Sequence, residues 1–164
     1  MIFYKLIYHF NAFLSILFMR LFYFIGGGSL KIGRNVTFRK GFSVMIDKKG
    51  SLIIGDNVFF NNYCSLNANN SIEIGEGTLF GENVRVYDHN HRYMNINIPI
   101  KDQGFSSSPV TIGKHCWIAS NVTILKGVHI GDNCVIGAGC VIFKDVPKNT
   151  VVVNKQNLEY RNLI

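Results

Sequence analysis

The chain has 164 residues, the size of one domain with a core of its own. Apolar residues make up 48% and charged residues 16%, which excludes a wholly disordered chain. The formal charge of +7 favours an anionic partner, such as a nucleic acid, a phosphorylated cofactor or a membrane surface.

Residues 1–28 form an apolar segment that we expect to be helical. Residues 1–25 are almost entirely apolar or aromatic, and three glycines close them. Lys5 and Arg20 leave 14 residues between them free of Lys and Arg, short of the roughly 20 that a membrane-spanning helix needs. A secretory signal is disfavoured because no A-x-A cleavage site is present. Two positions stay open for the helix: packed over an open end of the next domain or a sister subunit, or lying in a membrane surface.

Residues 29–150 carry a six-residue repeat, which is clearest from residue 112 onward. Isoleucine occupies every sixth position there, and a Cys or Val stands four residues after each isoleucine. The twelve positions are Ile112, Ile118, Ile124, Ile130, Ile136 and Ile142, with Cys116, Val122, Val128, Cys134, Cys140 and Val146. Pairs two residues apart share one face of a short strand, and the residue between them points outward. The pattern predicts a β-solenoid whose coils stack through parallel ladders.

The repeat continues upstream with less regularity. Ile-Gly pairs recur at Ile32, Ile54 and Ile74, and the spacing predicts about five coils of 18 residues. The 38 residues from Ile74 to Ile112 equal two coils plus an insertion, which we place at residues 88–109. Residues 151–164 follow as a C-terminal tail. The glycines after isoleucine are expected to supply a permissive backbone at tight corners.

The four cysteines fit the repeat better than they fit a disulfide or metal site. No CxxC pair is present among Cys64, Cys116, Cys134 and Cys140. We therefore expect small inward-facing, reduced side chains. Because Cys116 and Cys134 are 18 residues apart, they should stack in successive coils.

The hexads IGRNVT, IGDNVF, IGKHCW and IGAGCV resemble those of the bacterial hexapeptide-repeat acyltransferases, in particular the maltose, galactoside and exopolysaccharide O-acetyltransferases. The resemblance implies a mainly β fold, a left-handed parallel β-helix of about five coils with the N-terminal helix and a protruding loop. It implies acetyl transfer from acetyl-CoA to a hydroxyl of a sugar or polysaccharide precursor, without a metal. It also implies a cytoplasmic homotrimer whose active sites lie between subunits, and residues 1–25 would allow contact with the inner face of the membrane.

Loop 88–109 is where we expect the chemistry, because functional groups are most easily added where a regular scaffold is interrupted. Acyl transfer to a hydroxyl needs a base, and histidine suits that task near neutral pH. The resemblance places the base on His91, with His89 as the alternative. Asp88 or a backbone carbonyl would orient the ring, and Asp88 and Asn90 would border the cleft.

The resemblance also implies residues outside the loop. Trp117 points outward by the six-residue count and would border the cleft, covered by ligand or by a neighbouring subunit. Ser120 would help to hold the thioester oxygen. The residues implied for the coenzyme are a possible backbone amide, two small residues beside the pantetheine arm and a cation near the phosphates: Ala119, Ala138, Gly139 and Lys144.

Two other functions stay open on the same fold. One is a non-catalytic scaffold, and the other is a zinc enzyme similar to the γ-class carbonic anhydrases. Such a zinc site needs a histidine pair five residues apart, and His9, His89, His91, His115 and His129 form no such pair. Nucleic-acid binding is disfavoured because no recognition motif is present. The charge of +7 is then attributed to the phosphates of coenzyme A and to anionic lipid.

Overall fold

The computed structural model describes residues 2–156 and 159–161. The chain begins with one helix, α1 (Ile2–Gly26), and then winds through short strands around a common axis. In chain order the strands are β1 (Ser29–Ile32), β2 (Thr37–Phe38), β3 (Ser43–Ile46), β4 (Ser51–Ile54), β5 (Phe59–Phe60), β6 (Ser65–Ala68), β7 (Ser71–Ile74), β8 (Leu79–Phe80), β9 (Arg85–Tyr87), β10 (His89–His91), β11 (Phe105–Ser107), β12 (Val110–Ile112), β13 (Trp117–Ile118), β14 (Thr123–Ile124), β15 (His129–Ile130), β16 (Val135–Ile136), β17 (Val141–Ile142) and β18 (Val151–Val152). A 3₁₀ turn at Ile100–Asp102 lies between β10 and β11.

Three parallel sheets form the faces of a prism. The first face contains β1, β4, β7, β12 and β15, the second β2, β5, β8, β13, β16 and β18, and the third β3, β6, β9, β14 and β17. Each of five coils contributes one strand to every face, and β18 begins a sixth. This mainly β solenoid of five coils confirms the predicted architecture and agrees with the left-handed β-helix that the resemblance implies.

The core lies on the axis of the prism. Successive coils are in register, so that Ile118 lies beside Phe80 on one side and Ile136 on the other. All twelve positions that the six-residue count placed inward are buried. Aromatic rings continue this column towards the N-terminal end, where the ring centroids of Phe60 and Phe80 are 4.6 Å apart. The predicted register of the repeat is therefore confirmed.

The cysteines lie inside this core as predicted. All four are buried and carry free thiols. The amide of Trp117 donates to the carbonyl of Cys134 at 2.8 Å, which places Cys116 and Cys134 in adjacent coils. Burial raises the pKa of the Cys64, Cys116 and Cys140 thiols. Thiols that stay protonated are poor nucleophiles, so these side chains act as core residues.

Asparagines form many of the corners between faces. Asn35, Asn57, Asn133 and Asn149 all have φ between 55° and 60° at the corner from the first face to the second. Asparagine tolerates this left-handed region better than most residues because its short amide can hydrogen-bond locally. The amides also bond between coils, since Asn35 Nδ2 donates to Asn57 Oδ1 at 3.1 Å. The asparagine in the fourth position of several hexads is thereby explained.

The glycines after isoleucine have a different role from the one we expected. Gly55, Gly75 and Gly113 do not have a positive φ, so a permissive backbone is not the requirement. Instead, adjacent coils approach closely: a Cβ added to Gly113 would lie 2.6 Å from the backbone nitrogen of Asp132. The requirement at these positions is space between coils.

Replacing Gly113 by Ala is expected to lower the free energy of unfolding by about 1–3 kcal/mol, the usual cost of overpacking. The added methyl group would contact backbone, which cannot move aside without opening the ladder. Gly26→Ala is the matched control, because a Cβ at Gly26 meets nothing within 4 Å. Urea denaturation of both variants measures the difference, and equal stabilities would contradict the close-approach explanation.

Helix α1 covers the N-terminal end of the solenoid. Ile16 and Met19 pack on the core, and Tyr23 is 8% exposed. The Tyr23 hydroxyl donates to the carbonyl of Val44 at 2.8 Å, and Arg20 Nη2 donates to the carbonyl of Ile32 at 2.6 Å. One face of the helix therefore packs over the end of the following domain, as the first of the two expected positions required. In residues 2–156 and 159–161, no helix has the length and apolar character that crossing a membrane would require.

Candidate active site

The winding is interrupted between Tyr87 and Val110, where the sequence predicted the insertion. Strands β10 and β11 pair antiparallel there and form a hairpin that projects from the corner between the third and first faces. Ser108 closes its base: its amide donates to the carbonyl of Asp88 at 2.8 Å, and its carbonyl accepts from the amide of Gly127 at 3.2 Å. The base of the hairpin thus occupies the place of a normal corner in the stack of coils.

Asp88 is buried beneath this hairpin rather than exposed along a cleft. Its Oδ1 accepts a hydrogen bond from the amide of Asn69 at 2.8 Å, and its Oδ2 accepts one from the amide of Asn70 at 2.7 Å. The side chain has no exposed surface. Asp88 therefore does not border the cleft as expected; the coil below holds its carboxylate in a fixed position.

The third partner of this carboxylate is His89. Its Nδ1 lies 2.9 Å from Asp88 Oδ1, and the imidazole is 20% exposed. Phe105 packs edge-on against the ring at a centroid distance of 5.0 Å. A carboxylate already accepting two backbone N–H groups acts as an acceptor here, so Nδ1–H of His89 donates to it. This tautomer leaves the lone pair of Nε2 available to accept a proton.

His91 lies further out on the same hairpin. It is exposed, and its ring centroid is 4.5 Å from that of Phe105. His91 and Asn90 line an open cavity of about 620 Å³ that also includes Arg92, Asp102 and Lys126. The carboxylate of Asp88 thus contacts His89, whereas the sequence led us to expect an oriented ring at His91.

Ser120 lies at a different corner, between the second and third faces. Its Oγ accepts a hydrogen bond from the amide of Glu82 at 3.1 Å, which leaves the hydroxyl hydrogen free to be donated. Gly139 follows directly in the next coil, since its amide donates to the carbonyl of Ser120 at 3.0 Å. Ala138 is exposed beside it. The small residues that we expected along the coenzyme are therefore together at one corner.

Two of the expected coenzyme contacts are placed differently. The amide of Ala119 donates to the carbonyl of Ile136 at 2.8 Å, so it belongs to the ladder and cannot hold a thioester oxygen. That expectation is wrong because parallel pairing engages this amide. Lys144 is exposed at the corner of the hairpin, across the third face from Gly139.

Trp117 lies on the second face and is 51% exposed. It belongs to a row of outward apolar side chains that follow one another in register through five coils. This apolar row consists of Phe59, Leu79, Trp117, Val135 and Val151. We expected Trp117, Val135 and Val141 outward; Val141 is exposed but lies on the third face. The outward residues of the earlier hexads would have revealed the rest of the row.

The described residues divide the expected site into two parts. Asp88, His89, Asn90 and His91 lie on the hairpin at one corner, whereas Ser120 and Gly139 lie at another. Sequence reasoning missed the partners that fix the hairpin, among them Asn69, Asn70 and Phe105. Within residues 2–156 and 159–161, no group of three or more His, Cys, Asp or Glu side chains is placed to hold a metal ion.

A family model described as bacterial transferase hexapeptide (six repeats) matches residues 109–144. Among curated proteins, the putative lipopolysaccharide biosynthesis O-acetyl transferase WbbJ of Escherichia coli K12 is 34% identical over 137 residues, which cover 79% of this chain and 70% of that protein. The match therefore spans most of both chains.

Solved structures show the same likeness. A hexapeptide-repeat-containing acetyltransferase of Vibrio cholerae O1 biovar eltor, complexed with acetyl coenzyme A, has a TM-score of 0.66 at 27% identity and covers 74% of this chain and 64% of its own. A maltose O-acetyltransferase of Clostridium difficile 630 has a TM-score of 0.66 at 33% identity and covers 74% of this chain and 63% of its own. The present chain thus spans a little under two thirds of the length of these two proteins.

Proposed function

The chain belongs to the bacterial hexapeptide-repeat transferases, and on that basis we propose that it transfers an acetyl group from acetyl-CoA to a hydroxyl of a sugar or polysaccharide precursor. The observation that carries this proposal is the buried Asp88 that orients His89 at the base of the hairpin, with Nδ1 and Oδ1 2.9 Å apart. The names of the relatives support the reaction: one is called an O-acetyl transferase of lipopolysaccharide biosynthesis, and another a maltose O-acetyltransferase.

In the proposed reaction, His89 is the general base. Its Nε2 accepts the proton of the acceptor hydroxyl while that oxygen attacks the thioester carbonyl. The new C–O bond forms, and the C–S bond then breaks. The imidazolium returns its proton to the departing thiolate, which leaves as coenzyme A thiol. Asp88 stabilises the imidazolium between these steps, because its carboxylate stays beside Nδ1.

We assign this role to His89 rather than to His91, the residue that the sequence favoured. A base needs a fixed ring with the correct nitrogen free, and Asp88 supplies that constraint only to the neighbouring His89. His91 is exposed and lines the adjacent open cavity. With Asn90, it would contact the acceptor saccharide there.

The donor side of the site is proposed to come from another subunit. Ser120 has a hydroxyl hydrogen to donate to the thioester oxygen, and exposed Ala138 next to Gly139 gives a slender chain close access to the backbone. These residues lie at a different corner from the hairpin. A homotrimer that buries the apolar row would bring the hairpin of one subunit towards Trp117 and Ser120 of the next. Lys144 would meet the phosphates of the coenzyme in that cleft.

The cytoplasm is the proposed location of the reaction, because acetyl-CoA is available there. The acceptor would be a free or lipid-linked saccharide. A screen of saccharides with acetyl-CoA, read as release of free thiol, tests the proposal. Acceptor-dependent release is expected for at least one saccharide class, and thiol release with none of them would contradict it.

A further inference from the structure

The positive charge of the chain is concentrated at one end. Residues 1–50 contain eight of the 17 Lys and Arg and one of the 10 Asp and Glu, a net charge of +7, whereas residues 51–164 contain nine of each and are neutral. Six of the basic residues lie in the first coil, residues 29–50, and all six are exposed. This basic collar consists of Lys31, Arg34, Arg39, Lys40, Lys48 and Lys49.

The helix α1 adds an apolar surface at the same end. Its inner side packs on the solenoid through Ile16, Met19 and Tyr23. On its other side, six large apolar side chains are exposed at spacings of three and four residues, which places them on one face. This helix stripe consists of Leu14, Leu17, Phe18, Leu21, Phe22 and Ile25. A contiguous exposed stripe of this kind marks an interaction surface in soluble proteins.

We propose that the helix stripe and the basic collar together dock this end of the molecule on an anionic lipid membrane. A helix with one apolar face buries that face at the boundary between headgroups and acyl chains, and nearby Lys and Arg side chains attract anionic lipids. The apolar stripe distinguishes this surface from a nucleic-acid site, which would present charge without it. The basic collar encircles the prism, because its members lie at all three corners of the first coil.

The phosphates of coenzyme A do not account for this charge. The collar belongs to the first coil, whereas Ala138, Gly139 and Lys144 belong to the fifth. Four coil spacings of about 4.8 Å separate the two levels, or about 19 Å along the axis. The collar therefore serves a second anionic partner.

The docking geometry has a consequence that rests on the proposed acetyl transfer. His89 follows the third coil, two coil spacings or about 10 Å from the collar. With the diameter of α1 added, about 10 Å, the base would lie about 20 Å from the headgroups. A hydroxyl acetylated there would belong to the saccharide of a lipid-linked acceptor rather than to the lipid headgroup.

Vesicle co-sedimentation of the full chain tests the docking without any activity readout. We expect binding to phosphatidylcholine vesicles that contain phosphatidylglycerol, weaker binding to phosphatidylcholine alone, and weaker binding as salt is raised. Lys31→Gln with Lys40→Gln should weaken binding about 25-fold, since each basic residue near such a surface contributes about fivefold. Lys148→Gln with Lys155→Gln removes the same charge at the opposite end and should change nothing.

The helix stripe has its own variant. Leu21→Ser with Ile25→Ser should abolish vesicle binding, while Ile96→Ser, at an exposed position in the loop, should leave it unchanged. Equal binding of both basic double variants, or no binding to anionic vesicles by the unmodified chain, would overturn the proposal. So would a Leu21→Ser/Ile25→Ser protein that binds vesicles normally but sediments as a smaller oligomer, since the stripe would then be a contact between copies.

Discussion

Replacing His89 by Ala is expected to lower kcat for acetyl transfer by about 10²–10⁴-fold, the usual contribution of a general base. Asp88 holds the imidazole with Nδ1 2.9 Å from Oδ1, and removal of the ring leaves the acceptor hydroxyl without a proton acceptor. The imidazole is partly exposed at the surface of the hairpin, so the fold should survive, and thermal unfolding of the variant verifies this. Initial rates of thiol release with saturating acceptor measure the effect.

His91→Ala is the matched control on the same hairpin. Its ring lines the open cavity, so we expect a higher KM for the acceptor and less than about a tenfold change in kcat. A much larger loss of kcat in His91→Ala than in His89→Ala would restore the assignment that the family resemblance suggested. Asp88 would then act as a structural residue that stabilises the base of the hairpin.

The second large effect concerns assembly. Leu79→Arg places a charge in the centre of the apolar row, beside Trp117, and burial of an unpaired charge between subunits is strongly unfavourable. We expect the variant to be monomeric and its acetyl transfer to fall by about 10²-fold or more, because the two parts of the site no longer meet. Sedimentation velocity and initial rates, measured on the same sample, test both statements.

Glu73→Arg provides the comparison for that experiment. Glu73 lies in the same coil as Leu79 but points outward from the first face. This variant should remain trimeric and active. A fully active Leu79→Arg monomer would contradict the shared site, and a wild-type protein that is monomeric and active at low concentration would contradict the assembly.

The solenoid could be predicted from the sequence because its period leaves little freedom. A strand followed by a corner every six residues requires an apolar side chain at the same two places, and Ile118 and Cys116 show the pattern as clearly as the coordinates do. The insertion followed from the same count. What the count could not reveal is which glycines separate coils, since the close approach at Gly113 depends on the neighbouring coil.

The candidate site was less accessible to the same reasoning. The orientation of His89 depends on a carboxylate fixed by the amides of Asn69 and Asn70, about twenty residues upstream, and nothing in the local sequence indicates that contact. The error at Ala119 was avoidable, because a parallel ladder engages the amide after an inward residue. The charge asymmetry was also legible in the sequence, but its meaning required the helix and the first coil to be placed at one end.

The most direct test of the proposed function is the identity of the product. The chain is incubated with isotopically labelled acetyl-CoA and an acceptor saccharide, and the saccharide is analysed by mass spectrometry before and after mild alkaline hydrolysis. The account predicts a labelled, alkali-labile ester on the saccharide in an amount equal to the thiol released, with neither formed at a comparable rate by His89→Ala. Thiol release without an acetylated saccharide, or an alkali-stable acetyl group on nitrogen, would contradict it.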